Sequence, residues 1–337
     1  MRTGGDILMA RTRKAPQMTG VFADLANEFI DYKRSAGFKY ENEPKCLSRF
    51  CRFSVEQGTD TIEITRDLAE AWIAPRQQEA DKTRAHKITC IRQFAIFLDN
   101  LGYDAYILPE QKGLHYDSFT PYIFTHEQIR DVIRAADNTE ACEISKNMHL
   151  ELPVIFRILY GCGLRVSEVV HLQYKDVHLE DGYLVIRGAK TDRDRLIPLS
   201  DSVREACVQY ADKIWWDRDT DFFFPAPDKT MLSPMTIYQR YRRYLSDAGI
   251  SHGGKGQGPR LHDIRHTFAV HVLQKWIAEG MDLTAMMPIL STYMGHKSVH
   301  STARYLRLTA EVYPDLIKKV ESACAYVIPE VMYREGN

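Results

Sequence analysis

The sequence predicts a mainly α-helical protein with two domains and one small β-sheet. With 337 residues, the chain is long enough for two hydrophobic cores. Apolar residues recur three and four positions apart along most of its length, as amphipathic helices require. The strong β signal is confined to residues 176–199. A segment that contains Pro109, Gly113 and Pro121 separates the two parts and predicts a linker.

Four apolar stripes predict four helices in the first part of the chain. In each stripe the apolar residues occupy one helical face, so the four helices can enclose a core. Glycine and proline interrupt helices and mark where each stripe stops. The stripes end near Gly37, Gly58, Pro75 and Gly102.

The second part begins with a well-marked helix start. Thr125 and Gln128 have the spacing of a capping box, and Phe124 with Ile129 can form the hydrophobic staple. We expect a disordered, basic arm at 1–18, an all-α domain at 19–104, a linker at 105–122, a second domain at 123–324 and a tail at 325–337. The sequence leaves open whether Met1 or Met9 is the native start.

A three-stranded antiparallel sheet is predicted inside the second domain. Apolar residues at 177–179 and 183–186 flank Asp181 and Gly182, a hairpin turn signature. Residues 196–199 predict a third strand after a polar tip. Pro198 suits only an edge strand, because proline lacks the amide hydrogen that a central strand needs.

Composition indicates an intracellular globular protein. Seven scattered cysteines without a C-x-x-C pair predict neither a disulfide framework nor a zinc ribbon, so we expect a reduced, cytoplasmic location. No apolar run is long enough to cross a bilayer, and no membrane partner is expected. The net charge is −1, whereas many DNA-binding domains are basic. Binding depends on where cations cluster, so this balance does not exclude DNA as a partner.

Six residues in the second part have the chemistry that transesterification at a phosphodiester needs. Two arginines can clamp the non-bridging oxygens with paired donors that are always charged. A lysine can give a proton to the leaving oxygen. A histidine such as His262 can hydrogen-bond the phosphate or help take a proton from the nucleophile, because histidine titrates near neutrality. A tyrosine in cationic surroundings can attack phosphorus. The six residues are Arg165, Lys190, His262, Arg265, His296 and Tyr305.

The motifs around these residues resemble the tyrosine recombinase (phage integrase) family, over roughly residues 20 to 310. Arg165 lies in Gly-Leu-Arg-Val-Ser-Glu and Lys190 in Gly-Ala-Lys-Thr-Asp-Arg. Leu-His-Asp-Ile-Arg-His-Thr-Phe contains His262 and Arg265. Tyr-Met-Gly-His ends at His296, and Tyr305 follows in Thr-Ala-Arg-Tyr-Leu.

The resemblance implies a fold and a reaction. The first domain would be a four-helix, SAM-like core-binding domain, and the second would have the DNA breaking-rejoining enzyme fold. Tyr305 would form a 3′-phosphotyrosyl ester and release a 5′ hydroxyl. Strand exchange would occur in a homotetramer on synapsed double-stranded DNA with inverted-repeat core sites, with partner recombinases or accessory factors left open. Because the ester conserves the phosphodiester energy, neither ATP, nor a metal, nor another cofactor is expected. Residues 287–296 look like those of transposon-encoded recombinases, which favours integration or excision of a mobile element.

Other readings stay open. A type IB topoisomerase shares the chemistry, and a DNA-binding protein without catalysis would need only the cations. His262 and His266, four apart, have the spacing of a zinc-hydrolase helix, although a third ligand is not apparent. Glu168 either orients Arg165 or is an ordinary surface charge. His266 and His271 are expected to pack or hydrogen-bond within their helix.

Further cations predict contacts with the DNA backbone. Three lie on the fourth predicted helix, which could enter a major groove, and three lie on the helix that begins at Ser233 and Pro234. Solvated helix faces are the alternative in both places. The predicted contacts are Arg84, Lys87, Arg92, Arg240, Arg242 and Arg243.

Overall fold

The structure is a computed structural model. It describes residues 16–77, 79–110, 120–187, 194–214, 220–254, 258–296, 298 and 300–312. Two compact units divide the chain, Met1–Phe119 and Thr120–Asn337. The roles and limits assigned to the domains from sequence stay predictions. Within the described residues, none of the helices combines the length and the apolar character needed to span a membrane.

The first unit is a four-helix module around an aromatic core. Phe22, Phe29, Phe50 and Phe94 are buried and pack ring against ring at centroid distances of 5.5 to 6.5 Å. Such rings supply much of the apolar surface that a small domain can bury. Its helices are α1 (Ala23–Ser35), α2 (Glu43–Glu56), α3 (Arg66–Ile73) and α4 (Asp81–Asn100).

Among its described residues, the second unit has helices and one small sheet. Its helices are α5 (His126–Asp137), α6 (Met148–Gly161), α7 (Val166–Val170), α8 (Asp201–Ile214), α9 (Pro234–Asp247), α10 (Asp263–Ala278), α11 (Leu283–Met294) and α12 (His300–Val312). A 3₁₀ turn at Tyr174–Asp176 leads into β1 (Val177–His178), β2 (Tyr183–Ile186) and β3 (Arg195–Pro198).

The sheet and the first helix of this unit have the predicted local structure. The strands pair antiparallel in the order β1-β2-β3, and Leu184 of β2 lies opposite Val177 of β1 and Ile197 of β3. The edge position of β3 explains how Pro198 is accommodated. Thr125 and Gln128 form the capping box of α5 through reciprocal hydrogen bonds of 3.1 and 3.0 Å. The predicted fold class is confirmed.

Helix α10 connects the two cores of the second unit. One core surrounds α6, where Leu152, Ile155 and Phe156 are buried. Ala269 and Leu273 of α10 are buried in the other core, which includes residues of α11 and α12. Helix α10 packs against both α6 and α12. Its first turn lies beside the C-terminal ends of α6 and α11, because Arg265 contacts the carbonyls of Gly163 and Met294.

Candidate active site

Five of the six predicted residues lie together around the first turns of α10. Arg165 is the N-cap of α7, His262 is the N-cap of α10, and Arg265 lies in its first turn. His296 follows α11, and Tyr305 lies on α12. The sixth, Lys190, lies outside the described residues.

Arg265 is the buried centre of this group. Its side chain is 2% exposed. One terminal nitrogen, Nη1, donates to the carbonyl of Gly163 at 2.7 Å. The other, Nη2, donates to the carbonyl of Met294 and lies 3.4 Å from Nε2 of His296. Burial and the charge of Arg165 lower the pKa of Arg265 to about 10, so the guanidinium remains charged at neutral pH.

Two glycines let the backbone approach this guanidinium. Gly163 has φ +59°, and a Cβ there would collide with the ring of Phe268. Gly295 ends α11 in the left-handed conformation, with φ +62°. Both positions favour glycine, since side chains resist this part of backbone space. The two turns thereby bring the Gly163 and Met294 carbonyls to Arg265.

Glu168 is a carboxylate shared by three arginines. It accepts from Nη1 of Arg165 at 2.7 Å, from Nη2 of Arg195 at 2.9 Å and from the Arg165 backbone amide at 2.9 Å. Nη1 of Arg265 lies 3.9 Å away. Burial by itself would raise the pKa of Glu168, but the Arg195 hydrogen bond and the charges of Arg195 and Arg165 hold it below its ordinary value. One anion among three cations leaves two positive charges in excess, which suits an anionic ligand.

Arg195 belongs to this group although the sequence analysis did not select it. Its side chain is 9% exposed, and Nε donates to the carbonyl of Tyr293 at 2.9 Å. Among the described residues, its buried Nη1 has no hydrogen-bond partner. The strand pattern contains a signal that could have found it. Side chains alternate along a strand, so Arg195 shares a face with the fully buried Ile197.

His296 is held in one protonation form by its partners. Nδ1 lies 2.7 Å from the Thr302 hydroxyl, and Nε2 faces Arg265. Arginine can only donate, so Nε2 accepts and the hydrogen resides on Nδ1. Burial and the Arg265 charge lower the pKa of His296 to about 4. His262 is more exposed; partial loss of solvation, with the charges of Arg265 and Arg165, lowers its pKa as well.

Tyr305 lies inside the cationic group, with a hydrogen-bond partner that the sequence did not single out. Its side chain is 3% exposed. The hydroxyl is 3.1 Å from Nδ1 of His266, and the charge of Arg265 acts on it. Burial raises the pKa of Tyr305 above its ordinary value, against the lowering effect of Arg265 and Arg165. Burial also lowers the pKa of His266, to about 3.

The structure corrects the prediction for Lys87. This side chain is 4% exposed, and its ammonium pairs with Glu79 at 3.1 Å and lies 5.1 Å from the ring centre of Trp72. It faces the interior of the first unit because it occupies the apolar face of α4, next to Ile88 and Ile91. A buried, paired ammonium does not present itself to a phosphate.

The other predicted DNA contacts stay predictions. Nε of Arg84 donates to the carbonyl of Ile73 at 2.9 Å, and Arg92 is half-buried. On α9 the tyrosines at 241 and 244 face the core, whereas Arg242 and Arg243 are exposed and Arg240 is half-buried.

The structure provides no support for a zinc site in the part of the chain that it describes. There, no group of three or more histidine, cysteine, aspartate or glutamate side chains is placed to hold a metal ion. Nδ1 of His266 is directed at Tyr305 instead.

Comparisons with known proteins place the chain in a family. A family model, the phage integrase family, matches residues 123–311. The putative integrase/recombinase y4rB of Sinorhizobium fredii is 28% identical, over 89% of this chain and 97% of that protein. The tyrosine recombinase XerA of Pyrococcus horikoshii is also 28% identical, over 60% of this chain and 62% of that protein.

Solved structures share the fold. XerH recombinase bound to a palindromic difH substrate matches with a TM-score of 0.61 at 16% identity, over 89% of this chain and 83% of that one. The Tn1549 transposon integrase in complex with transposon right-end DNA matches with a TM-score of 0.57 at 17% identity, over 86% and 99%. The chain belongs to the phage integrase family, that is, to the tyrosine recombinases.

Proposed function

We propose that this chain is a site-specific recombinase that cuts and rejoins DNA through a 3′-phosphotyrosyl bond at Tyr305. Family membership makes it a DNA strand-exchange enzyme. The observation that carries the finer proposal is the environment of the Tyr305 hydroxyl, which lies 3.1 Å from Nδ1 of His266 and is influenced by the charges of Arg265 and Arg165. The three arginines around Glu168 place an excess of positive charge in the same site.

The arrangement suits attack on a phosphodiester. The Arg165 side chain is 24% exposed, so a phosphate can reach it. Arg265 is held rigidly by two carbonyls, so it needs little reorganisation as charge develops on the non-bridging oxygens. His262, the N-cap of α10, would be a further donor, and His296 would support Arg265 through Nε2. Removal of one such donor typically slows a reaction by about 10²–10³-fold.

The reaction balances without a cofactor. The Tyr305 hydroxyl gives its proton to a base of the site, and its oxygen bonds to phosphorus. The bond from phosphorus to the 5′ oxygen breaks, and Lys190 gives that oxygen a proton. Religation reverses each step. The ester retains the phosphodiester energy, so the proposal includes independence from metals and from ATP.

The setting of the reaction is part of the proposal. The duplex would carry inverted-repeat core sites, and a homotetramer would hold two sites together in the cytoplasm, with or without accessory proteins. Residues 287–296 and the likeness to the Tn1549 transposon integrase support integration or excision of a mobile element. Contacts from Arg84, Arg92, Arg240, Arg242 and Arg243 would anchor the duplex.

A nicked suicide substrate built from DNA at the native locus tests this proposal. The full-length protein should form a covalent adduct that Tyr305→Phe abolishes without weakening DNA binding. Tyr293→Phe is the matched control, since it removes a neighbouring phenol oxygen and should leave the adduct intact. EDTA should have no effect. Adduct formation by Tyr305→Phe would refute the assignment, and relaxation of supercoiled DNA without site preference would favour a topoisomerase.

A further inference from the structure

We propose that His266 is the general base that takes the proton from Tyr305. This role goes to a histidine outside the six residues selected from sequence. It rests on the proposed function, because it requires Tyr305 to be the nucleophile.

The geometry distinguishes His266 from the other two histidines. Its Nδ1 is 3.1 Å from the Tyr305 oxygen, within ordinary hydrogen-bond distance. His296 also stacks near the Tyr305 ring, with centroids 5.9 Å apart. Both of its nitrogens have other partners, however, Thr302 and Arg265. The third histidine, His262, is exposed and contacts the ring of His266 edge-on, with ring centroids 4.8 Å apart.

Arg265 and His266 act on the phenol in complementary ways. Burial raises the pKa of Tyr305, whereas the charge of Arg265 lowers it and so stabilises negative charge on the phenol oxygen. Nδ1 of His266 accepts the phenol hydrogen when the ring is neutral and its own hydrogen resides on Nε2. One neighbour thus stabilises negative charge on the oxygen while the other receives its proton.

The charge state of His266 agrees with this direction. Burial, together with His262, Arg304 and Arg265, lowers its pKa to about 3, so the ring is neutral and can accept at neutral pH. The two arginine charges make the protonated ring costly in the absence of DNA. A bound phosphodiester brings a negative charge that offsets them and raises the basicity of His266. Proton transfer is thereby coupled to DNA binding.

The proposed step moves one proton and one phosphoryl group. In cleavage the phenol proton passes to Nδ1 of His266 as the Tyr305 oxygen bonds to phosphorus and the 5′ oxygen leaves. In religation the 5′ oxygen attacks, the phenol oxygen leaves, and the imidazolium returns the proton to it. His266 ends each cycle neutral.

His266→Asn separates the hydrogen bond from the proton transfer. The Asn side-chain oxygen lies close to where Nδ1 was, so it can accept from Tyr305 but cannot hold the proton. Single-turnover adduct formation is measured on the nicked substrate from about pH 6 to about pH 9. We expect a slowing of about 10²-fold or more at neutral pH, the usual contribution of a general base. The rate of the variant should rise about tenfold per pH unit, as hydroxide replaces the base, while the wild-type rate stays flat.

His271→Asn is the matched control. His271 lies on the same helix and is buried, and burial lowers its pKa to about 4. Its hydrogen-bond partners are Tyr160 and the Phe124 carbonyl rather than Tyr305. A structural defect in α10 would slow both variants without a pH slope. DNA binding and thermal melting show whether each variant is folded. In a separate test, added imidazole should restore cleavage to His266→Ala.

The outcomes separate this proposal from the proposed function. If the wild-type chain forms no adduct, both are overturned. Suppose instead that the wild-type chain forms an adduct at Tyr305, and that His266→Asn forms it at a rate within threefold of wild type with a flat pH profile. Only the role of His266 is then overturned. A substrate with sulfur in place of the bridging 5′ oxygen should rescue Lys190→Ala, because thiolate leaves without a proton. If that substrate rescued His266→Asn, His266 would act on the leaving 5′ oxygen rather than on Tyr305, and the proposal would be refuted.

Discussion

Replacement of Glu168 by Gln removes the carboxylate that holds three arginines together. Arg165 and Arg195 donate to it at 2.7 and 2.9 Å, and Arg265 lies 3.9 Å away. The carboxylate side chain is 7% exposed, so water cannot take over the arginine donors. Glutamine keeps the volume and one acceptor oxygen, but its amide directs hydrogens at a guanidinium.

The expected cost is large for one side chain. Removal of one partner from a buried ion pair typically costs about 3–5 kcal/mol, because the remaining charge stays buried without compensation. The acceptor that glutamine keeps favours the lower end, about 3 kcal/mol. For a unit of this size, the melting temperature should fall by about 6–12 °C.

The cost should depend on pH in a defined direction. The pKa of Glu168 is lower in the folded protein than in the unfolded chain, so its contribution to the free energy of unfolding is complete above the unfolded pKa of about 4.3. That contribution is lost as the pH falls through the folded pKa. The difference between wild type and Glu168→Gln should therefore be full at neutral pH and shrink in acid.

Urea unfolding of both proteins, at neutral pH and in acid, measures this difference. Glu279→Gln is the control, since its pair with Lys275 is 3.9 Å long and both side chains are at least half exposed. Such a pair contributes about 0–1 kcal/mol. If Glu168→Gln costs no more than Glu279→Gln, the arginines do not depend on the shared carboxylate and the reasoning fails.

Three further predictions concern single side chains. Arg265→Ala should slow adduct formation by about 10²-fold or more in single-turnover assays, while mobility-shift assays show DNA binding retained. Lys87→Met should leave Glu79 buried without a partner and cost about 3 kcal/mol in urea unfolding, with no change in the salt dependence of DNA binding. Burial raises the pKa of Glu151 to about 8, so the folded protein holds a proton that the unfolded chain has lost. Stability should fall from about pH 5 to about pH 8, and Glu151→Gln should remove that slope in a series of urea titrations.

The parts of the fold that were predictable depend on local sequence. The capping box at Thr125, the hairpin turn at Gly182 and the edge strand with Pro198 each follow from residues a few positions apart, and each is present. Their conformations are decided by backbone constraints that neighbouring residues impose.

The parts that were not predictable depend on distant partners. Lys87 looked like a surface cation, but Trp72 and Glu79 enclose it. Local charge patterns do not distinguish a solvated cation from a buried one, because the difference lies in what packs against it.

The same holds within the candidate site. The family motifs select Arg165, Arg265 and Tyr305, whereas the contact between His266 and Tyr305 joins residues 39 positions apart. Nothing in the spacing around either residue indicates that contact.

The central claim is that the Tyr305 oxygen becomes bonded to the cut strand. Protease digestion of the trapped adduct, followed by mass spectrometry of the nucleotide-linked peptide, tests it most directly. The account predicts a 3′-phosphorylated nucleotide on the peptide that contains Tyr305, attached to the phenol oxygen. A linkage at any other residue, or a nucleotide joined through its 5′ end, would contradict it.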